Sequence, residues 1–341
     1  MKKWVLITVS GILLCSLLIS ENNSGNSKIT EQLQEKMEST SESEFIRINI
    51  AMNEQYDSQT LLRNTNELSK PEKREFVVNQ LKSFSNESQK DILTEMEILE
   101  NEGLIQNIKS LWITNLINCF ATKEAIREIS LRNDIKSIDW DEERNMLLDY
   151  NVNEQKYITN NSTDRDITWN VTLVDADDVW ALGYTGEGVI VAVVDTGIRY
   201  THLDLQDHIW QSDEYPNHGY DFANNDNDPM DDHGHGTHCA GTVAGDGTAG
   251  TQTGMAPDAT IMCLKVLDNT GNGNESNVWS AMEFAVENGA DVVSMSLGWQ
   301  HSWGVNREAW RNCMDNSLVA GLISSVAAGN ECDYQWNHPI S

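Results

Sequence analysis

Basic side chains are scarce in this 341-residue chain: 23 Lys and Arg stand against 53 Asp and Glu, a net charge of −30. Such a surface repels phosphate backbones and anionic headgroups, which argues against nucleic acid and anionic membranes as partners. The scarcity deepens after residue 166, where Arg199, Lys265, Arg307 and Arg311 face 25 acidic residues. Cysteine is sparse as well, and the spacings of the six present form no disulfide framework and no zinc site. A Cys313–Cys332 bridge and buried free thiols both remain open. Long apolar runs are absent apart from residues 4–19, which are short for a membrane span. Lys2 and Lys3 precede that run and a polar stretch, ENNSGNS, follows it, so residues 1–20 read as an export signal. The expected product is secreted and extracellular, with no membrane attachment after signal cleavage.

Glycine and proline are nearly missing from residues 28–150, which hold only Gly103 and Pro71. Few points there force a break in helix or strand. FIRINIAM alternates as a half-buried strand does, and residues 70–103 have helical character, opened by Pro71 and stopped by Gly103. A second alternating stretch, an amphipathic KEAIREISLRND and a final IKSIDW complete the order β-α-β-β-α-β. This predicts a small α+β domain of the split βαβ type. Residues 151–167 are polar and without periodicity, and read as a linker.

From residue 168 the character changes. Glycine becomes frequent, and short apolar runs at 189–195, 260–267, 291–298 and 322–330 alternate with helical patterns at 235–244, 275–288 and 307–320. Near-continuous apolar strands between helices predict an α/β domain whose parallel sheet is covered on both faces. Sites in such sheets gather at the carboxyl ends of the strands. Asp195, Ser296–Gly298 and Asn330 stand at such ends.

The stretch DDHGHGTHCAGTVAG, residues 231–245, brings His233, His235 and His238 within six positions. As a metal cluster, H-x-H-x-x-H has Thr237 where a metallo-hydrolase signature needs an aspartate, and no downstream pair completes a site. As nucleophilic catalysis, the pattern offers an acid at a strand end (Asp195), an imidazole opening a close-packed helix (His235) and an amide for an oxyanion (Asn330).

Taken together, VAVVDTGI, HGTHCAGTVAG and SVAAGNE, with SMSLG and GMAP between them, resemble the motifs of subtilisin-like serine proteases (subtilases, peptidase S8) in their order. The resemblance covers residues 168–341. It implies a secreted endopeptidase acting on extended polypeptides, with Asp195 orienting His235, His235 as general base and acid, and Asn330 as oxyanion donor. Ser296, Leu297 and Gly298 would pair with the substrate backbone, and Ala327, Ala328 and Gly329 would wall the pocket before the scissile bond. Asp221, Asn224, Asp226 and Asp228 resemble a calcium loop, and Asp204 a ligand of a second Ca2+ site in which Thr248 replaces an expected asparagine. Residues 28–150 would be a propeptide, a folding assistant and intramolecular inhibitor, cut away between about residues 149 and 168. No segment resembles the family's GTSMAxP serine motif. The expectation is therefore a fragment ending before the nucleophile and inactive as it stands. A non-catalytic binding remnant and a metal-dependent hydrolase using HGHGTH are the alternatives.

Overall fold

The computed structural model describes residues 27–147, 166–300 and 303–329. The expected signal, most of the linker and Asn330 lie outside the described residues.

The first half runs α1 (Glu31–Ser39), β1 (Ile46–Met52), α2 (Ser58–Asn64), α3 (Lys70–Asn101), β2 (Ile105–Leu111), β3 (Leu116–Ala121), α4 (Lys123–Ser130), β4 (Ile135–Trp140) and β5 (Arg144–Asn145). Its sheet has the order β2-β3-β1-β4 with every pairing antiparallel. This is the expected α+β arrangement. Ser69 and Glu72 start α3 by a capping box, Glu72 Oε2 accepting from Ser69 N at 3.0 Å. Leu33, Ile48, Ile50, Ile92, Met96, Ile126 and Ile138 form a core of their own beneath the sheet. The short helices α1 and α2 are not legible in the pattern. Asp57 caps α2 by accepting from Gln59 N, while α1 is held by burial of Leu33 and Met37.

The second half contains β6 (Asp166–Ile167), α5 (Trp169–Leu173), α6 (Ala176–Ala181), β7 (Ile190–Asp195), β8 (Gly219–Asp221), α7 (His235–Ala244), β9 (Thr251–Gln252), β10 (Thr260–Lys265), β11 (Asn272–Gly273), α8 (Glu275–Glu287), β12 (Val292–Met295), α9 (Arg307–Val319) and β13 (Ile323–Val326). Five strands form a parallel sheet in the order β13-β12-β7-β10-β8. Strand alternation explains the continuous apolar runs. Val191 and Val193 of β7, with Ile261 and Cys263 of β10, face the core that includes Ala240 and Ala244 of α7. Ala192, Val194, Met262 and Leu264 face the opposite core, with Trp279 and Met282 of α8. Both faces are buried, so no polar alternation is tolerated.

That second core does not stop at the boundary between the halves. Leu61, Val77, Leu81, Leu111, Trp112 and Ile113 of the first half pack into it against α8 and α9. Immediately after β4, Asp141 is buried against the start of α8, where its Oδ2 accepts from Ser276 Oγ at 2.6 Å and its main-chain oxygen from Asn274 Nδ2 at 2.9 Å. Arg47 of β1 forms an ion pair with Asp141 at 2.8 Å and also donates to Ser276 Oγ and Asn277 Oδ1. Cys119, Cys239, Cys263 and Cys313 are free thiols. Among the described residues no helix is long and apolar enough to cross a membrane.

Candidate active site

Asp195 closes β7 and is fully buried, and His235 is the first residue of α7. Forty positions apart in the chain, they meet with His235 Nδ1 2.7 Å from Asp195 Oδ1. The approach depends on the absence of a side chain at Gly236, where a Cβ would lie 2.1 Å from Gly197 O and 3.1 Å from Asp195 Cβ. Thr196 adds two ties: its N donates to Asp195 Oδ1 at 2.7 Å, and its Oγ1 accepts from Gly236 N at 2.9 Å. With Nδ1 held by the aspartate, Nε2 is the nitrogen left to exchange a proton with a reacting group.

The start of α7 is held by Asp231, a residue the motif reading passed over. Its carboxylate accepts from the backbone N–H of His233 (3.0 Å), Gly234 (2.9 Å) and Thr237 (2.9 Å), and from the hydroxyls of Thr196 and Thr237. Burial would raise its pKa, but these donors outweigh burial and hold it below the usual carboxylate range. Lys265, at the end of β10, is equally unforeseen. It is buried, and its Nζ donates to Thr196 O and to Asp232 Oδ1, each at 2.6 Å. A lysine closing an otherwise apolar run was the available signal.

The Asp195 hydrogen bond, and after it one with Cys239, pushes the His235 pKa up to about 10, against burial, which lowers it. Cys239 lies one turn along α7 with Sγ 3.8 Å from His235 Nδ1. Burial alone would raise the thiol's pKa; hydrogen bonds with His235 and His238 more than offset it and leave it lowered. His233 and His238 do not join His235 in a common ligand group among the described residues; Asp195, His235 and Cys239 do, with ligand atoms within 4.8 Å of one another.

Beyond Met295 the chain leaves β12, and Gly298 and Gly271–Gly273 flank one segment of the first half, which fills the cleft between them. Ala327 continues the next strand, its N donating to Met295 O at 2.9 Å. Ala327 and Ala328 are exposed, and Gly329 has φ +88, a conformation that favours glycine. The cleft contains a segment of the first half. Arg144 and Asn145 pair antiparallel with Gly273 and Asn272. Met146 N donates to Gly271 O at 3.0 Å, and Gly298 N donates to Met146 O at 3.1 Å. β5 and Met146 are therefore bonded on one side by Gly271–Gly273 and on the other by Gly298, with Met146 fully buried. The maturation region expected from residue 149 onward lies almost entirely outside the described residues and follows directly on this strand.

The acidic loop is built around Asp221, buried at the end of β8. Its two oxygens accept from Asn224 N and Asn224 Nδ2, each at 2.8 Å, and burial raises its pKa. Asp226 Oδ1 accepts from Asp228 N at 2.8 Å, and Asp228 Oδ1 from Tyr200 Oη at 2.9 Å. Paired backbone bonds between Asp221 and Asp226 close the turn. The donor set is all oxygen, as a hard cation requires, and it includes a buried carboxylate with no ion pair among the described residues. Asp204 is buried as well, and its Oδ1 accepts from Ala249 N within the loop that Thr248 occupies.

Residues 186–340 match the model of the subtilase family, peptidase S8. Among curated proteins, the minor extracellular protease Vpr of Bacillus subtilis (strain 168) is 38% identical over 202 residues, covering 53% of this chain and 24% of that protein. Bacillopeptidase F of the same organism is 31% identical over 283 residues, covering 76% of this chain and 19% of the relative. Subtilisin DY of Bacillus licheniformis is 36% identical over 165 residues, covering 48% and 55% respectively. The chain spans between about a fifth and about half of the length of these relatives.

Proposed function

Residues 186–340 form a subtilase-family domain, and from that premise we propose that the protein is a secreted serine endopeptidase of the subtilisin type, made with an inhibitory propeptide. Asp195 keeps the His235 ring oriented and stabilises the imidazolium. His235 Nε2 takes the proton from the serine hydroxyl as it attacks the carbonyl and returns it to the leaving amine. Asn330 donates to the oxyanion. No segment of these 341 residues resembles the family's serine motif, and on this reading the serine lies C-terminal to Ser341. The substrate runs as an extended strand between Gly271–Gly273 and Ser296–Gly298, so main-chain hydrogen bonds supply affinity independent of sequence.

One observation carries this reading: β5 and Met146 lie between Gly271–Gly273 and Gly298 with the backbone bonds an extended peptide would make. It also supports the inhibitory role of residues 28–150, because a substrate would need the same hydrogen bonds. Export is supported by the basic and apolar start of the chain and by an extracellular protease among the relatives. Calcium at Asp221, Asn224, Asp226 and Asp228 would hold the loop leading into α7; it would take no part in the chemistry.

The test is to express the gene product reading on past Ser341 and assay hydrolysis of unfolded casein. A serine-directed phosphonate should label one residue beyond 341, and His235→Ala should abolish turnover. Hydrolysis that survives His235→Ala, or resists the phosphonate but stops with a chelator, would reject the reading in favour of metal-dependent hydrolysis.

A further inference from the structure

The strand in the cleft carries a side chain with its own message. Arg144, paired through its backbone with Gly273, lays its guanidinium over the Trp303 ring, 5.1 Å from the centroid, and Nη2 donates to Trp303 O at 3.2 Å. It shares one small cavity with Glu275, Trp299, Trp303 and Asn306 of the second half. Glu275 opens α8 and is fixed in place by Trp310 Nε1, which donates to its Oε1 at 2.5 Å. Trp310 in turn packs against Trp299, ring centroids 4.2 Å apart. The other charged groups lining this cavity are Asp139 and Glu142, both from the first half; Glu142 is the ion-pair partner of Arg144, and Asp141 adds its charge to the surroundings of Glu275.

Departure of the first half removes Asp139, Asp141, Glu142 and Arg144 together. What stays is an aromatic wall with one carboxylate, Glu275, in a domain holding four basic residues after position 166. Burial, with Asp141 and Asp139 beside it, pushes the Glu275 pKa up to about 8 in the docked state. Departure of the first half removes both that cover and those neighbours, and each loss favours the charged carboxylate. Resting on the groove reading above, we infer that the subsite opposite Gly273 selects a basic side chain, recognised by the Trp303 face and the Glu275 carboxylate. Arginine suits it better than lysine, because a planar guanidinium stacks on the indole while donating to the Trp303 carbonyl. The acidic field of the domain draws the same substrates in.

The experiment uses the mature enzyme from the complete gene product and peptides that differ only at one position, carrying Arg, Lys, Ala or Glu. The varied position is moved through the residues preceding the cut. At one position Arg should exceed Ala by about tenfold in kcat/KM, with Glu the worst. In Glu275→Gln that ratio should fall toward unity, and Glu275→Asp should restore part of it. Hydrolysis with no preference at any position, or a preference undiminished in Glu275→Gln, would overturn the inference and leave the protease reading standing. No hydrolysis of any peptide would remove both.

Discussion

Ile113, at the tip of the β2–β3 hairpin, donates its backbone N–H to Oε1 of Glu283 on α8 across 2.9 Å, with both residues buried. The next helix answers from the other side, where Asn316 Nδ2 donates to Ile113 O at 2.8 Å. One turn of the first half is thus clamped by polar side chains of two helices of the second. An unpaired buried polar group costs about 1–3 kcal/mol, so the hairpin and the helix pair are matched in detail.

Docking should weaken as pH rises. Burial pushes Glu283 and Glu275 up to about 8, and it raises Asp139 as well. For a carboxyl whose folded pKa exceeds its unfolded value, the stabilising contribution is complete below the unfolded pKa. It is lost as pH climbs through the folded one. The thermal midpoint of the chain should fall between about pH 5 and pH 9, and Glu283→Gln should flatten that fall. Differential scanning calorimetry across this range checks it; an unchanged slope in Glu283→Gln would contradict the assignment.

Asp141→Asn should be among the most damaging single changes outside the cores. It leaves Arg47 without its ion-pair partner and weakens the bond to Ser276 at the start of α8. Breaking a buried pair on one side costs about 3–5 kcal/mol. Urea unfolding should show a lower midpoint in Asp141→Asn. A double variant with Arg47→Met should recover part of the loss, because the stranded charge is then gone.

Cys239 tunes His235. Its hydrogen bond is second only to that of Asp195 in raising the imidazole pKa. The proposed base acts only when unprotonated, so activity should appear as pH rises through that pKa. In Cys239→Ala the acid limb of the kcat/KM profile of the complete enzyme should move to lower pH. A limb that stays fixed, or moves upward, would argue that the thiol does not act on the ring.

Calcium should stabilise the chain through the Asp221 loop alone. At a concentration a hundredfold above its dissociation constant, a ligand specific for the folded state adds about 2.7 kcal/mol. The rise in melting temperature on adding Ca2+ should vanish in Asp226→Asn and persist in Asp204→Asn, whose oxygen already serves Ala249 N. Loss of the rise in Asp204→Asn would place a calcium ion at the second site instead.

The element order was legible in the sequence because burial on both faces writes itself as unbroken apolar runs. The helical segment at 235–244 coincides with α7, and the apolar run ending at Asp195 with the end of β7. Asp195 and His235 were readable as a pair only through the motifs around them. Their 2.7 Å contact arises from a crossover that brings a strand end to a helix start 40 residues on. Spacing along a chain carries no trace of such distances.

What the tertiary structure alone decided is where the first half lies. Nothing in ERNML marks residues 144–147 as the occupant of a cleft, because backbone pairing with Gly273 and Gly298 asks little of side-chain identity. Glu275 and Glu283 read in sequence as ordinary acidic residues of an amphipathic helix. Only the docked sheet buries them. A carboxylate's chemistry depends on what displaces its water, and that is a property of two surfaces meeting, which no single segment encodes.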